Sequence, residues 1–306
     1  MMIAERFRCP QNLCERSPKG RQPSLGGPGR LGLSGRTAVL GFLSVGVSNG
    51  RPHWTTPVIE CHSMPETTTW YSERMQREMP LVRWGHWGRP LLLFPTAGGD
   101  AWEVERMHLI AALQPLLDAG RIKVFSVDSY AGRTWIQSRA NPHHCVWVQQ
   151  QFDAYVRHEV VPAIRMDCRS DSIDIMTAGA SIGAYNALLT ICRHPDVFSH
   201  AIGMSGTYDI EHWLGGKRIS EFYHYSPVHF VSQLPEAEQL QRLRQRSVIL
   251  ATGQGRWENP GDSWKVANAL GSRGIPNRVD LWDPQWDHDW PTWRVMLPQY
   301  LAHLVP

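Results

Sequence analysis

From Met64 onward, short apolar runs alternate with stretches whose apolar residues recur every three or four positions. The segments "TTTWYSERM" and "PLVRWGHW" read as an early antiparallel pair. "LLLF", Leu91 to Phe94, stopped by Pro95, has the continuous apolar character of a strand buried on both faces. Ile110, Leu113, Leu116 and Leu117 make a helical stripe ending at Gly120, "IKVFSV" at Ile122 to Val127 is the next predicted strand, and Phe152, Tyr155, Val156 and Val160 mark another helix. Further strands are predicted at Ile173 to Thr177, His200 to Ser205, Ser247 to Ala251 and Asn277 to Trp282. Helices are predicted at Ile182 to Cys192, near Ser263 to Leu270 and around Pro291 to Leu304, with a long irregular excursion after Ser205. Such alternation requires right-handed crossovers. It predicts an α/β fold, a mostly parallel sheet covered by helices on both faces, with ligands at the carboxyl ends of the strands.

Residues 1–63 follow neither pattern. "SPKGRQPSLGGPGRLGLSGR" is rich in Gly, Pro, Ser and Arg and holds too little apolar surface to offset the entropy of ordering, which predicts disorder. The run Thr37 to Val47 resembles the apolar part of a secretory signal, but it lies far from Met1 and no small-residue cleavage site follows. The preferred expectation is a start at Met64, with 1–63 a misassigned extension and 64–306 one catalytic domain. Composition fits a folded body: of 306 residues 42% are hydrophobic, and no apolar run is long enough to span a bilayer. The net charge of +3 belongs to the tail. Residues 1–63 carry 8 Lys or Arg against 3 Asp or Glu, which leaves 23 against 25 in the remainder, so no nucleic-acid face is expected there. The body holds three cysteines, Cys145, Cys168 and Cys192, without metal or redox spacing. That favours a reducing, cytoplasmic setting while leaving export open.

Chemistry concentrates at the corner between the strand at Ile173 and the helix at Ile182, where Gly179-Ala180-Ser181-Ile182-Gly183 places a serine between two glycines. A plain turn needs only one. In Gly-x-Ser-x-Gly between strand and helix, the serine hydroxyl projects from the top of a sheet and the glycines remove side chains that would strike neighbouring backbone. The alternative is a Gly-rich turn in which Ser181 caps the helix.

A serine hydroxyl is a weak nucleophile, so such an elbow predicts a histidine base and an orienting acid later in the chain. His288 in "PQWDHDWPTW" falls between the last strand and the closing helix, with Trp286, Trp290 and Trp293 placed to restrict water and fix the ring. The other reading is a surface histidine, or a metal ligand beside Asp287 and Asp289, although no regular ligand spacing is present. For the acid, Glu258 follows the strand at Ser247 and Asp209 follows the preceding one; Asp262 reads as a helix cap. Two backbone donors should complete an oxyanion hole: Ile182, next to the serine, and Ala97 in "FPTAGGD", with Gly98 close behind.

Together, "LLLFPTAGGD", "TAGASIGAYNALLTICRHPDVFSHAIGMSGTYD", "ATGQGRWEN" and "DHDWPTW" resemble the esterase D-like family of α/β-hydrolase fold serine esterases, which includes feruloyl esterases and mycolyltransferases. The resemblance runs from about Thr67 to His303. It implies an α/β-hydrolase fold and carboxylic ester hydrolysis with Ser181 as nucleophile, His288 as base and Glu258 as acid, without cofactor or metal. Many family members carry aspartate where Glu258 stands. Two other functions remain open: an acyltransferase using the same groups, and a non-catalytic binding protein on the same fold. Trp135, Trp257, Trp286 and Trp290 fall in or near loops expected at the site, where aromatic walls suit sugar rings or aromatic acyl groups. The expected partner is therefore a small-molecule or saccharide ester, with neither nucleic acid nor membrane.

Overall fold

The computed structural model describes residues 64–138 and 141–305, together with two strands before them. The chain divides into two units, Met1–Ile59 and Glu60–Pro306. In the first, β1 (Gly46–Ser48) pairs antiparallel with β2 (Arg51–His53). The other expectations about residues 1–63 lie outside the described residues.

The second unit is an eight-stranded sheet of β3 (Glu66–Ser72), β4 (Arg77–Trp84), β5 (Arg89–Phe94), β6 (Ile122–Val127), β7 (Ile175–Ala180), β8 (Phe198–Met204), β9 (Ser247–Thr252) and β10 (Asn277–Leu281). In space the order is β10-β9-β8-β7-β5-β6-β4-β3, parallel from β10 to β6, with β4 and β3 antiparallel at one edge. This is the α/β-hydrolase arrangement. The early pair is the expected hairpin, whose short connection allows only antiparallel pairing.

Helices cover both faces. In chain order they are α1 (Glu103–Arg106), α2 (Leu109–Asp118), α3 (Tyr130–Gln137), α4 (Pro142–Tyr155), α5 (Val161–Asp167), α6 (Ile182–Arg193), α7 (Ser220–Tyr223), α8 (Pro227–Phe230), α9 (Glu238–Leu243), α10 (Pro260–Gly271) and α11 (Trp290–Leu304). Alternate residues of each central strand enter separate cores. Leu92 and Phe94 pack on the α4 and α6 side with Phe152 and Tyr185, whereas Leu91 and Leu93 pack on the α2 and α11 side with Leu113 and Met296. Both faces are thus dry, which is why these strands read as unbroken apolar runs. Helix α6 is buried from Ile182 to Cys192 because it packs on β7 and β8 beneath α8 and α9.

Two expectations shift. The elbow strand runs Ile175–Ala180 rather than Ile173 to Thr177, so it ends directly at Ser181. Trp135 is no pocket wall: it is fully buried on α3, packed against Trp213 and Phe222, with its indole N–H donated to Gln149 at 3.2 Å.

Candidate active site

Ser181 stands where β7 meets α6, with φ 57° and ψ −123°. Holding a non-glycine residue there costs about 1–3 kcal/mol and requires surroundings that over-determine it. The backbone supplies them: the Ser181 N–H donates to Met204 O at 3.0 Å, while its carbonyl accepts from Ala184 and Thr207 N–H, each at 3.1 Å. Although Ser181 occupies the N-cap position, its side chain makes no capping hydrogen bond. Both glycines are needed for close approach. A Cβ on Gly179 would collide with the backbone of Gly183, and one on Gly183 with the carbonyl oxygens of Phe94 and Pro95.

Those carbonyls begin the loop after β5. The Glu103 carboxylate, from α1, accepts the N–H and the hydroxyl of Thr96, each at 2.7 Å; burial pushes Glu103 above the usual carboxylate range against the effect of those bonds. Gly99 donates to Thr96 O at 3.0 Å and accepts from the Arg133 guanidinium at 2.9 Å. Among the described residues these contacts leave the Ala97 and Gly98 N–H groups without a partner. The Ile182 N–H, first in its helix, has no intrahelical acceptor. Ala97 and Ile182 flank the same point, since a Cβ on Gly132 would come within 3.4 Å of Ala97 Cα and 3.0 Å of Ile182 Cγ2.

Glu258 and His288 arrive on the loops that follow the neighbouring strands β9 and β10. The Glu258 side chain is 1% exposed, and its Oε2 lies 4.0 Å from His288 Nδ1. Each carboxylate oxygen accepts a hydroxyl, Oε1 from Ser205 at 2.5 Å and Oε2 from Thr252 at 3.0 Å. The loops are laced together: Gly255 N–H donates to Trp286 O at 3.0 Å, His288 N–H to Arg256 O at 3.1 Å, and the Arg256 guanidinium to Asp287 at 3.1 and 3.3 Å. Burial pulls His288 below the ordinary histidine range, while the charges of Glu258 and Asp289 act in the opposite direction. The Trp293 and His288 rings meet nearly at right angles, at 82°, with centres 5.3 Å apart.

The other acids are engaged elsewhere. Asp209 accepts from Lys265 Nζ at 2.7 Å, and although burial opposes its charge, that bond and the Glu211 N–H hold it below the usual carboxylate range. Asp262 is not the cap of α10. Asn259 and Pro260 open that helix, and Asp262, in its first turn, accepts from the Asn259 amide at 3.0 Å. Asp289 caps α11 by accepting from Trp290 N–H at 2.7 Å, and Asp287 pairs with Arg256. Among the described residues no group of three or more His, Cys, Asp or Glu could hold a metal ion.

A small apolar cavity lies in the core behind the elbow, lined among others by Leu93, Val104, Leu109, Ala180, Met204 and Trp293; Ser181, His288 and Glu258 are not in its lining. Trp257 is 72% exposed, and sequence patterning does not single out Ser205, Thr252 or Glu103. Ser205 lies in "SGTYD", but only the tertiary fold brings its hydroxyl to Glu258.

A mostly parallel sheet with a strained serine at the central strand-to-helix corner defines an α/β-hydrolase. The family described as "Putative esterase" matches residues 125–304, and the chain belongs to it, a carboxylic ester hydrolase. Among solved structures, a ferulic acid esterase aligns with TM-score 0.57 at 17% identity, over 79% of this chain and 97% of its own. An S-formylglutathione hydrolase from Agrobacterium tumefaciens aligns with TM-score 0.60 at 13% identity, over 86% and 99%. The Staphylococcus aureus fluorophosphonate-binding serine hydrolase FphF aligns with TM-score 0.56 at 13% identity, over 79% and 98%. At these identities the likeness is one of fold. A comparison with curated protein sequences found no match. No helix among the described residues is long and apolar enough to cross a membrane.

Proposed function

We propose that the chain hydrolyses small carboxylic esters through a Ser181, His288 and Glu258 triad and an acyl-enzyme intermediate. The observation that carries this is a buried Glu258 carboxylate 4.0 Å from His288 Nδ1, on loops laced to each other at the same end of the sheet as the strained Ser181. Ser181 Oγ attacks the ester carbonyl as His288 Nε2 takes its proton. The N–H groups of Ile182 and Ala97 receive the developing oxyanion. When the tetrahedral intermediate collapses, the imidazolium gives that proton to the departing alcohol, leaving Ser181 acylated. Water then attacks the acyl-enzyme with His288 again as base, releasing the acid and restoring the serine. Glu258 holds the imidazole and stabilises its cation throughout. The mechanism calls on no cofactor.

A fluorophosphonate probe tests this directly. Ser181 is expected to carry the label, with labelling lost in His288→Ala; label at another residue, or none on folded protein, rejects the triad.

We assign the enzyme to a reducing compartment, the cytoplasm, on the ground that Cys145, Cys168 and Cys192 are free thiols. We further propose 64–306 as the whole catalytic domain, because every residue given a role lies within it. A chain starting at Met64 is expected to fold and retain full esterase activity. Insolubility or loss of turnover on that truncation would show that residues 1–63 are needed.

A further inference from the structure

An indole N–H can donate a hydrogen bond and cannot accept one. Trp293 Nε1 donates to Ser205 Oγ at 2.9 Å, and Ser205 Oγ lies 2.5 Å from Glu258 Oε1. The single hydrogen of the Ser205 hydroxyl therefore goes to the carboxylate, and the chain of bonds runs one way, from Trp293 through Ser205 to Glu258. Its members are dry: Trp293 and Ser205 are each 3% exposed. Thr252 donates to the other oxygen, Oε2, at 3.0 Å from a hydroxyl that also faces Gly253 O at 3.2 Å, a looser hold than the one-way 2.5 Å bond from Ser205. Ser205 is itself held at φ 48°, with its N–H donated to Ala251 O at 2.7 Å, a strained backbone fixed by that bond. With Oε1 fixed in this way, the other oxygen, Oε2, is the one left facing His288 Nδ1. The same Trp293 ring stands nearly perpendicular to the imidazole.

We propose that Trp293 and Ser205 are positioning residues for the acid: Trp293 sets the direction of the Ser205 hydroxyl, which fixes the rotation of the Glu258 carboxylate toward His288. This rests on the triad reading above. The charged groups acting on His288 are Glu258 and Asp289, and the buried Tyr208 phenol feels both Asp262 and Glu258.

The test measures kcat and KM against pH for Trp293→Phe, Ser205→Ala, Glu258→Gln and the double variant Trp293→Phe/Glu258→Gln in the full chain. Trp293→Phe and Ser205→Ala are each expected to lower kcat about tenfold or more with KM little changed. The acidic limb of kcat/KM should move to lower pH in both, because a turned carboxylate no longer favours the imidazolium. In the double variant the Trp293 change should cost nothing further, since its effect passes through Glu258. A limb at the wild-type pH, or losses that multiply in the double variant, would overturn the proposal. Should Trp293→Phe fail to fold, Ser205→Ala, which removes one oxygen, decides it by the same limb. A separate outcome reaches the triad itself: if Ser181 takes no fluorophosphonate label or Glu258→Gln turns over normally, the underlying reading fails. Labelled Ser181 and an impaired Glu258→Gln beside an unaffected Trp293→Phe and Ser205→Ala reject the positioning alone.

Discussion

Ser181→Ala is expected to lower ester hydrolysis by about 10⁴- to 10⁶-fold while the protein stays folded. The loss should fall on kcat, because the hydroxyl supplies the attacking oxygen and nothing else replaces it. The fold should survive, since Ser181 makes no capping bond and its role in the backbone, through Met204 and Thr207, uses main-chain atoms alone. Alanine at φ 57° still carries a Cβ, so the substitution does not change the strain. Steady-state turnover together with circular dichroism checks the result. A folded Ser181→Ala protein with near-normal kcat would sink the proposed mechanism entirely.

The second large effect separates two carboxylates. Glu258→Gln should lower turnover by up to about ten-thousandfold, because the imidazole loses the charge that orients it and stabilises its cation. Asp209→Asn should act mainly on stability through the lost Lys265 pair. The pH profile gives an independent sign. The base works only when neutral, so activity falls as pH drops through the pKa of His288. Burial already holds that pKa below the ordinary histidine range, and the Glu258 charge offsets part of the depression. Removing the charge lowers the pKa further, so the acidic limb should move to lower pH in Glu258→Gln and stay in place in Asp209→Asn. The reverse pattern would transfer the acid's role to Asp209.

Much of the fold could be read from the sequence because parallel strands dry on both faces leave continuous apolar runs; "IKVFSV" coincides with β6 from Ile122 to Val127. The elbow strand was displaced for a physical reason. Its last residues, Ala178, Gly179 and Ala180, are small: Gly179 lies directly against α6, while Ala178 and Ala180 face the other core on the α2 and α11 side, and small residues carry little strand signal. Helix α3 is hard to read in the sequence because "YAGRTWIQ" spans only eight residues and its buried face, Ala131, Gly132, Thr134 and Trp135, is mostly small or polar, so Trp135 reads as a loop residue. The choice between Glu258 and Asp209 could not be made from spacing, since both follow adjacent strands. It turns on contacts between elements: Lys265 of α10 holds Asp209, while the lacing of two loops brings Glu258 beside His288. The hydroxyls of Ser205 and Thr252 were invisible for the same reason.

The close fit of Gly183 against the Phe94 and Pro95 carbonyls has an evolutionary side. Here main chain rests on main chain, so the separation between the serine and the loop that faces it is fixed by atoms every amino acid shares. Surrounding side chains can therefore drift over long lineages, and those around the serine can be replaced, without resetting that separation. The freedom stops at Gly179 and Gly183 themselves, where any side chain would prise the two segments apart.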